Sequence, residues 1–554
     1  MFRIRLLSTF CTLFLLAACS QNQHLPPKLT ASVVDQNGSV LPDFSLHFIK
    51  AADNWTGLPY DEWVNDGEDS INVLLPEQEP VVVRLSAPGH HPLYTFLLPT
   101  DQSIKLRVIL PSPTKIPSGV PKVVGNFNNF SSQTGIEMNL QPNGIWTSEI
   151  VSNSDTLNYA INHFIFGGNI TGTEGELQFQ NESRGVQPTF RRTLTKSADQ
   201  PVFTVNFDPE KYENLRTRTK PQIQFTHEVP ENIQGVAKIY SLMIHEYLSV
   251  ITERNLAQMQ RDEIGEHDYT EFLNNLNQIK DRYSHPDVRL ASDIAKLRLL
   301  DSEKLTVSEI EQFLNTIPSD SPLWLMHYTA LSTALDISGT EKHLNLLSSI
   351  ASKSPYPELQ AEALYNLVKY HHNQRNEEKL HHAFFKLTSN HPDHFRTGYA
   401  YKNFAPEPPI SKGEPLLYNQ FNNLNGAGSL NLEDIEESYL LIDFWATWCG
   451  PCIQAIPKLQ KLNTEFKDED FAIVSISVDQ VPENVLSFQK KWDMPWYNLH
   501  EPQQGDKIRK MGIMGVPHYI LLGPDRKVLS HDQSLLSGDK AGEVIREYLD
   551  RQHE

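Results

Sequence analysis

The chain has 554 residues and a formal charge of −20, from 48 Lys and Arg against 68 Asp and Glu. That length points to several domains rather than one core, and the acidic balance, with no basic stripe to neutralise phosphates, argues against a nucleic-acid binder. Hydrophobic residues at 39% and aromatics at 10% argue against a largely disordered chain, and four cysteines are too few for a disulfide scaffold.

Arg3 and Arg5 precede an apolar run from Leu6 to Leu16, broken by Ser8, Thr9 and Thr12. The run falls short of the roughly 20 residues of a spanning helix and reads as the h-region of a secretory signal. Leu16-Ala17-Ala18-Cys19 resembles the lipobox of bacterial lipoproteins. The resemblance implies a signal peptide over 1–18, a lipid anchor on Cys19 and a tether over 19–28. Ser20, in place of aspartate, implies sorting to the outer membrane, facing the periplasm. An ordinary signal peptide with a chance cysteine is the alternative. With the anchor in place, Cys449 and Cys452 are the two cysteines left free in an oxidising compartment.

Residues 29–111 read as a β-sandwich-like domain. Leu29-Thr30-Ala31-Ser32-Val33-Val34 leads into a turn at Asp35-Gln36-Asn37-Gly38, and Val81-Val82-Val83-Arg84-Leu85 ends before Pro88-Gly89. The pattern resembles Ig-like modules related to the carboxypeptidase regulatory domain, and a spacer role is expected. Residues 119–208 read as a second sandwich. Val123 to Phe130, followed by Asn143-Gly144-Ile145-Trp146, resembles early-set modules that bind starch or glycogen. Phe130 stands where that family typically has tryptophan, and Trp146 is either a sugar platform or core.

Residues 231–401 are helical. Leu344, Leu347 and Ala351 share one face, as do Ala361, Leu364 and Val368. Pro286, Pro322, Pro357 and Pro392 recur at intervals of 36, 35 and 35, near the length of a helical hairpin repeat. The stretch from Ala361 to Pro392 resembles a tetratricopeptide repeat, which implies either a protein-docking surface or a spacer. Pro406, Pro408, Pro409 and Pro415 then mark an extended connector.

Residues 410–554 carry the chemistry. A buried-strand pattern, Leu440 to Trp445, runs through Ala446-Thr447-Trp448 into Cys449-Gly450-Pro451-Cys452 and an amphipathic helix. This strand, Trp-Cys-Gly-Pro-Cys and helix resembles thioredoxin, and Phe444 to Cys449 resembles the TlpA/ResA-type branch in particular. The expected architecture is therefore multidomain: two N-terminal β-sandwich-like domains, a helical TPR-like domain and a C-terminal α/β thioredoxin fold. Two residues between cysteines at a helix start let the sulfurs bond or part with little backbone movement. The unpaired amides there stabilise a thiolate. The resemblance implies Cys449 as the exposed nucleophile and Cys452 as the resolving thiol. It implies Asp443 as the buried acid that handles the proton of Cys452, and Pro457 inside the active-site helix. Trp448, Gly450, Pro451, Val516 and Pro517 are expected to contact substrate, Val516 through its backbone and Pro517 as a cis-proline.

From Cys449 to Pro517 is 68 residues, more than the compact fold needs. The excess, with Val478-Asp479 and the stretch from Trp492 to Tyr497, resembles the insertion of TlpA/ResA-type proteins. No lysine stands opposite Asp443 in the strand from Ile473 to Val478. No cofactor or metal is expected; a half zinc site near His518, a structural disulfide and a peroxidase are the weaker readings. The expected activity is a membrane-anchored extracytoplasmic thiol–disulfide oxidoreductase, an enzyme that reduces protein disulfides. Its electrons would come from a membrane or periplasmic thiol protein. The alternatives are a disulfide oxidase, or a glycan- or protein-binding lipoprotein with an accessory redox domain.

Overall fold

A computed structural model describes residues 26–550 apart from 42–43, 53–58, 66, 77, 88–89, 91, 112–119, 121, 126, 128–134, 152–155, 163–191, 196–201, 208–219, 261–264, 301–303, 425–427, 481, 491, 503–505 and 532–540. Cys19, the signal segment and Phe130 lie outside the described residues.

Seven strands come first: β1 (Lys28–Val34), β2 (Ser45–Lys50), β3 (Pro59–Val64), β4 (Ile71–Leu74), β5 (Val81–Ser86), β6 (Leu93–Leu97) and β7 (Ile104–Ile109). A second set follows: β8 (Lys122–Gly125), β9 (Ile136–Glu137), β10 (Asn139–Leu140), β11 (Trp146–Ile150), β12 (Thr156–Asn162), β13 (Arg192–Thr195) and β14 (Phe203–Phe207). This second set forms two sheets, β10-β11-β14 and β13-β12-β8-β9. Trp146 is half-buried against their shared core of Val123, Ile150, Tyr159 and Val205.

The expected end of the first sandwich at 111 needs correction. Strand β15 (Gln222–Phe225) returns to pair antiparallel with β7, giving sheets β15-β7-β1-β4 and β3-β2-β5-β6. The second set of strands is thus an insertion into the first sandwich. Strand β15 begins 113 residues after β7 ends, beyond the reach of any local signal, and the return is fixed by the register Gln222↔Ile109 to Phe225↔Leu106.

The helices are α1 (Glu231–Gln260), α2 (Thr270–Arg282), α3 (Pro286–Leu299), α4 (Val307–Thr316), α5 (Ala330–Ser338), α6 (Leu344–Lys353), α7 (Pro357–Asn373), α8 (Glu377–Asn390) and α9 (Phe395–Phe404). Pro286 opens α3, Pro322 opens a 3₁₀ turn, Pro357 opens α7, and Pro392 lies between α8 and α9. Proline suits a first turn, where its missing N–H has no partner to lose. The helical layer is not a separate bead. Thr95 Oγ1 on β6 donates to the Ala237 carbonyl of α1 at 3.0 Å, and the Phe96 and Tyr240 rings lie 5.5 Å apart. One apolar core runs from Leu29 in the sandwich to Ala363 in α7. Strands β5 and β6 are accordingly buried at every position rather than at alternate ones.

The last region is a sheet ordered β17-β16-β20-β19-β18-β21-β22. Its elements in chain order are β16 (Gln420–Asn423), β17 (Ser429–Asn431), β18 (Tyr439–Trp445), α10 (Gly450–Glu465), β19 (Phe471–Ser477), α11 (Pro482–Gln489), β20 (Tyr497–His500), α12 (Asp506–Lys510), β21 (His518–Leu522), β22 (Val528–Ser530) and α13 (Ala541–Asp550). Strands β18, β19 and β20 are parallel, and β21 is antiparallel to β18. Both faces of the sheet are covered, so β18 and β19 are buried throughout, as continuous apolar runs in parallel sheets require.

Candidate active site

Strand β18 delivers the chain to Thr447-Trp448-Cys449, and α10 starts at the next residue. Pro451 sits in the first turn, and Cys449 is the N-cap, its Sγ accepting the Cys452 amide at 3.2 Å. The two sulfurs are bonded as a disulfide, with the Cα atoms 5.2 Å apart. Pro457 lies inside α10.

The expected exposure of Cys449 needs correction in this disulfide form. It is 4% exposed, hardly more than Cys452 at 3%. The loop ahead of β21 closes over it, with the Val516 carbonyl oxygen 3.5 Å from Cys449 Sγ. The Val516–Pro517 peptide is cis. Around the sulfurs, Trp448, Val516 and Pro517 are half-buried, and Pro451 is exposed. The fold thus brings together Cys449, Cys452, Trp448, Gly450, Pro451, Val516 and Pro517 from segments far apart in the chain.

Asp443 lies on β18, 3% exposed. It stands in register with Ser475 of β19 on one side and Tyr519 of β21 on the other. Burial pushes its carboxyl up to about 7, against a smaller lowering by a hydrogen bond from Ser475. Ser475 Oγ donates to Asp443 Oδ2 at 3.0 Å and accepts the Trp496 indole N–H at 2.9 Å. Asp443 Oδ1 is buried with no hydrogen-bond partner among the described residues. Burial, then the neighbouring Asp443 charge, raises the Tyr519 phenol above its ordinary range.

A second carboxylate fixes the approach to the cysteines. Asp479, 1% exposed, accepts the Thr447 amide at 2.9 Å, the Thr447 hydroxyl at 2.7 Å and the Ser477 hydroxyl at 2.8 Å. Its backbone carbonyl contacts His500 Nε2 at 2.7 Å. Sequence reasoning assigned no role to Ser475, Trp496 or Asp479. Only the missing lysine opposite Asp443 hinted that another residue must serve there.

Chemically, the arrangement holds a dithiol/disulfide pair at a helix N-terminus, a substrate-sized edge of backbone at Val516, and a buried acid that titrates near neutrality. Among the described residues, no cluster of three or more His, Cys, Asp or Glu side chains is placed to hold a metal ion.

Residues 437–528 match a family described as thioredoxin-like. The thiol-disulfide oxidoreductase ResA of Bacillus thuringiensis is 26% identical over 120 residues, which are 22% of this chain and 66% of that protein. ResA of Oceanobacillus iheyensis is 31% identical over 93 residues, 17% of this chain and 48% of that one. The chain thus spans from about half to just under two thirds of these relatives' length. The crystal structure of the thioredoxin domain of a thiol-disulfide oxidoreductase from Bacteroides vulgatus is 26% identical. It covers 25% of this chain and 99% of that one, with a TM-score of 0.23. The C-terminal region is a thioredoxin-like domain related to the TlpA/ResA-type thiol–disulfide oxidoreductases.

Proposed function

We propose that the protein is an extracytoplasmic thiol–disulfide oxidoreductase, held at the membrane by a lipid on Cys19, that reduces disulfides in other proteins. The observation that carries the reading is the Cys449–Cys452 disulfide at the start of α10, 3.5 Å from the Val516 carbonyl. In the reduced enzyme, the Cys449 thiolate attacks one sulfur of a substrate disulfide. A mixed disulfide forms and the other substrate sulfur leaves as a thiolate, which takes a proton from solvent. Cys452 gives its proton to Asp443 and attacks Cys449 Sγ. The mixed disulfide breaks, the second substrate thiolate leaves, and two electrons have passed from enzyme to substrate. An extracytoplasmic thiol protein then reduces the Cys449–Cys452 bond.

Asp443 suits the proton step because a carboxyl that titrates near 7 both accepts and returns a proton at neutral pH. Among the described residues no helix is long and apolar enough to cross a membrane, and in this reading Cys19 supplies the attachment. The tetratricopeptide-like helices and the two sandwiches carry the redox domain.

The test is Cys452→Ala in cells followed by isolation of trapped mixed disulfides. The substrate should remain bonded to Cys449, and Cys449→Ala should trap nothing. A measured potential well above that of thioredoxin, about −270 mV, would instead identify an oxidase.

A further inference from the structure

Among the described residues, the last part of the helical layer touches the redox domain at the segment leading to the cis-proline. Gly398 of α9 is buried against Met514: a Cβ at Gly398 would lie 2.3 Å from Met514 Sδ and 3.6 Å from Arg509 Cγ. Gly512, at φ +68°, brings the loop backbone against the helix backbone, since a Cβ there would lie 3.0 Å from Lys402 Cα and 3.2 Å from Lys402 N. Arg509 at the end of α12 donates to the Asp393 carboxylate at 2.5 Å and to the Asp393 carbonyl at 3.2 Å. Arg509 is 8% exposed, so this pair is largely shielded from water on the arginine side. Three contacts therefore grip residues 509–514. Val516, whose carbonyl lies 3.5 Å from Cys449 Sγ, is two residues further on.

We propose that α9 and the turn before it are a positioning element of the redox site, with Gly398 and Asp393 holding residues 509–514 so that the Val516 backbone just beyond is presented to an extended segment of substrate. This rests on the proposed oxidoreductase function and deepens it: the preferred substrates are disulfides flanked by extended chain, and the helical layer is required to read the chain. Side chains on a loop gripped at both a glycine contact and an ion pair keep their placement, and a shift of about 1 Å at such a site costs up to roughly a hundredfold. A larger residue at Gly398 displaces the Met514 side chain, whose Sδ and Cε lie 2.3 and 3.1 Å from an added Cβ, and crowds the Arg509 stem, so residues 509–514 lose their fitted seat on α9. A small disulfide has no extended chain to pair with Val516 and is indifferent to where that backbone lies.

The experiment uses the full chain with Gly398→Leu and, separately, Asp393→Ala. Asp393 has a side chain 88% exposed, so its loss leaves the core intact. Two substrates are compared: a pair of extended peptides joined by one disulfide, and bis(2-hydroxyethyl) disulfide, which carries no amide groups. The expected result is a peptide KM raised roughly tenfold in Gly398→Leu and less in Asp393→Ala. The rate with the hydroxyethyl disulfide and the equilibrium potential against glutathione should stay as in the unaltered chain. Peptide and hydroxyethyl disulfide rates falling in parallel, or a peptide KM unchanged in both variants, would overturn the proposal. If Gly398→Leu does not fold, Asp393→Ala decides alone. An unaltered chain that exchanges with neither substrate would remove the oxidoreductase reading itself, an outcome distinct from active variants with unaltered KM.

Discussion

Ser475 and Asp443 face each other in register on neighbouring parallel strands, and the serine hydroxyl donates to Asp443 Oδ2 at 3.0 Å. The Trp496 indole occupies the serine oxygen from the other side at 2.9 Å. That donor fixes the direction of the hydroxyl proton, which has the aspartate left to point at. Oδ2 is thereby committed, and Oδ1 is the oxygen left to exchange a proton.

Ser475→Ala should raise the inflection in the pH profile of mixed-disulfide resolution. Asp443 already sits at about 7 because burial outweighs the serine bond. Losing a charge-assisted bond worth about 1.5 kcal/mol moves it up by roughly one further unit. Stopped-flow kinetics of resolution from pH 5 to 10 measure the shift. An unmoved inflection would show that Asp443 does not govern the step.

Trp496→Phe removes the donor to Ser475 while keeping an aromatic ring in place. The freed hydroxyl can turn from Asp443, so the same inflection should rise, by less than in Ser475→Ala. A shift in the opposite direction would rule out the relay.

Asp443→Asn should slow resolution by about 10²-fold, the scale of a lost general base, and should also stabilise the sheet above neutral pH. Below about pH 4 the carboxyl is protonated in both folded and unfolded chains and carries no penalty. Between there and about 7 the unfolded chain ionises first, so stability falls as pH rises. Above about 7 the full penalty of about 4 kcal/mol is present, and asparagine removes it. Hydrogen exchange of the β18 and β19 amides at pH 4 and pH 8 should show added protection in the variant only at the higher pH.

Asp479→Ala should loosen the turn ahead of Cys449. It strips the partners from the Thr447 amide and hydroxyl and the Ser477 hydroxyl. A loss of about 2–3 kcal/mol is expected, on the scale of bonds to a buried charge, and denaturant melts of the variant should show it. A variant as stable as the unaltered chain would show the turn to be held elsewhere.

Arg396→Ala should destabilise the helical layer by about 3–5 kcal/mol, because it strands a charge. Glu362 is 0% exposed, and Arg396 pairs with it through Nε and Nη2, each at 2.7 Å. Removing both, as Glu362→Leu with Arg396→Met, should recover much of the loss in thermal melts.

The active-site turn was legible in the sequence because its code is local. Pro451 and the two cysteines lie within four residues, and an apolar strand leads in while an amphipathic helix leads out. Gly515-Val516-Pro517 was legible only through the resemblance to thioredoxin, since proline permits a cis peptide but does not by itself mark which of the chain's prolines faces the cysteines. Ser475 was not legible, since serine in a buried strand has no pattern of its own and its role comes from β19 lying beside β18. Trp496 and Asp479 stood within a stretch recognised as extra, but which group each would meet depended on how that stretch folded back.

The sequence by itself determined the dithiol, its helix and the apolar strand beneath it, since each follows from neighbours a few residues apart. Tertiary structure alone decided that β15 rejoins a sheet left behind at β7, that α1 seals β6, and that Gly398 meets Met514 beside the redox site. Those contacts join segments more than a hundred residues apart, where no periodicity reaches and only the packing of whole surfaces selects the partner.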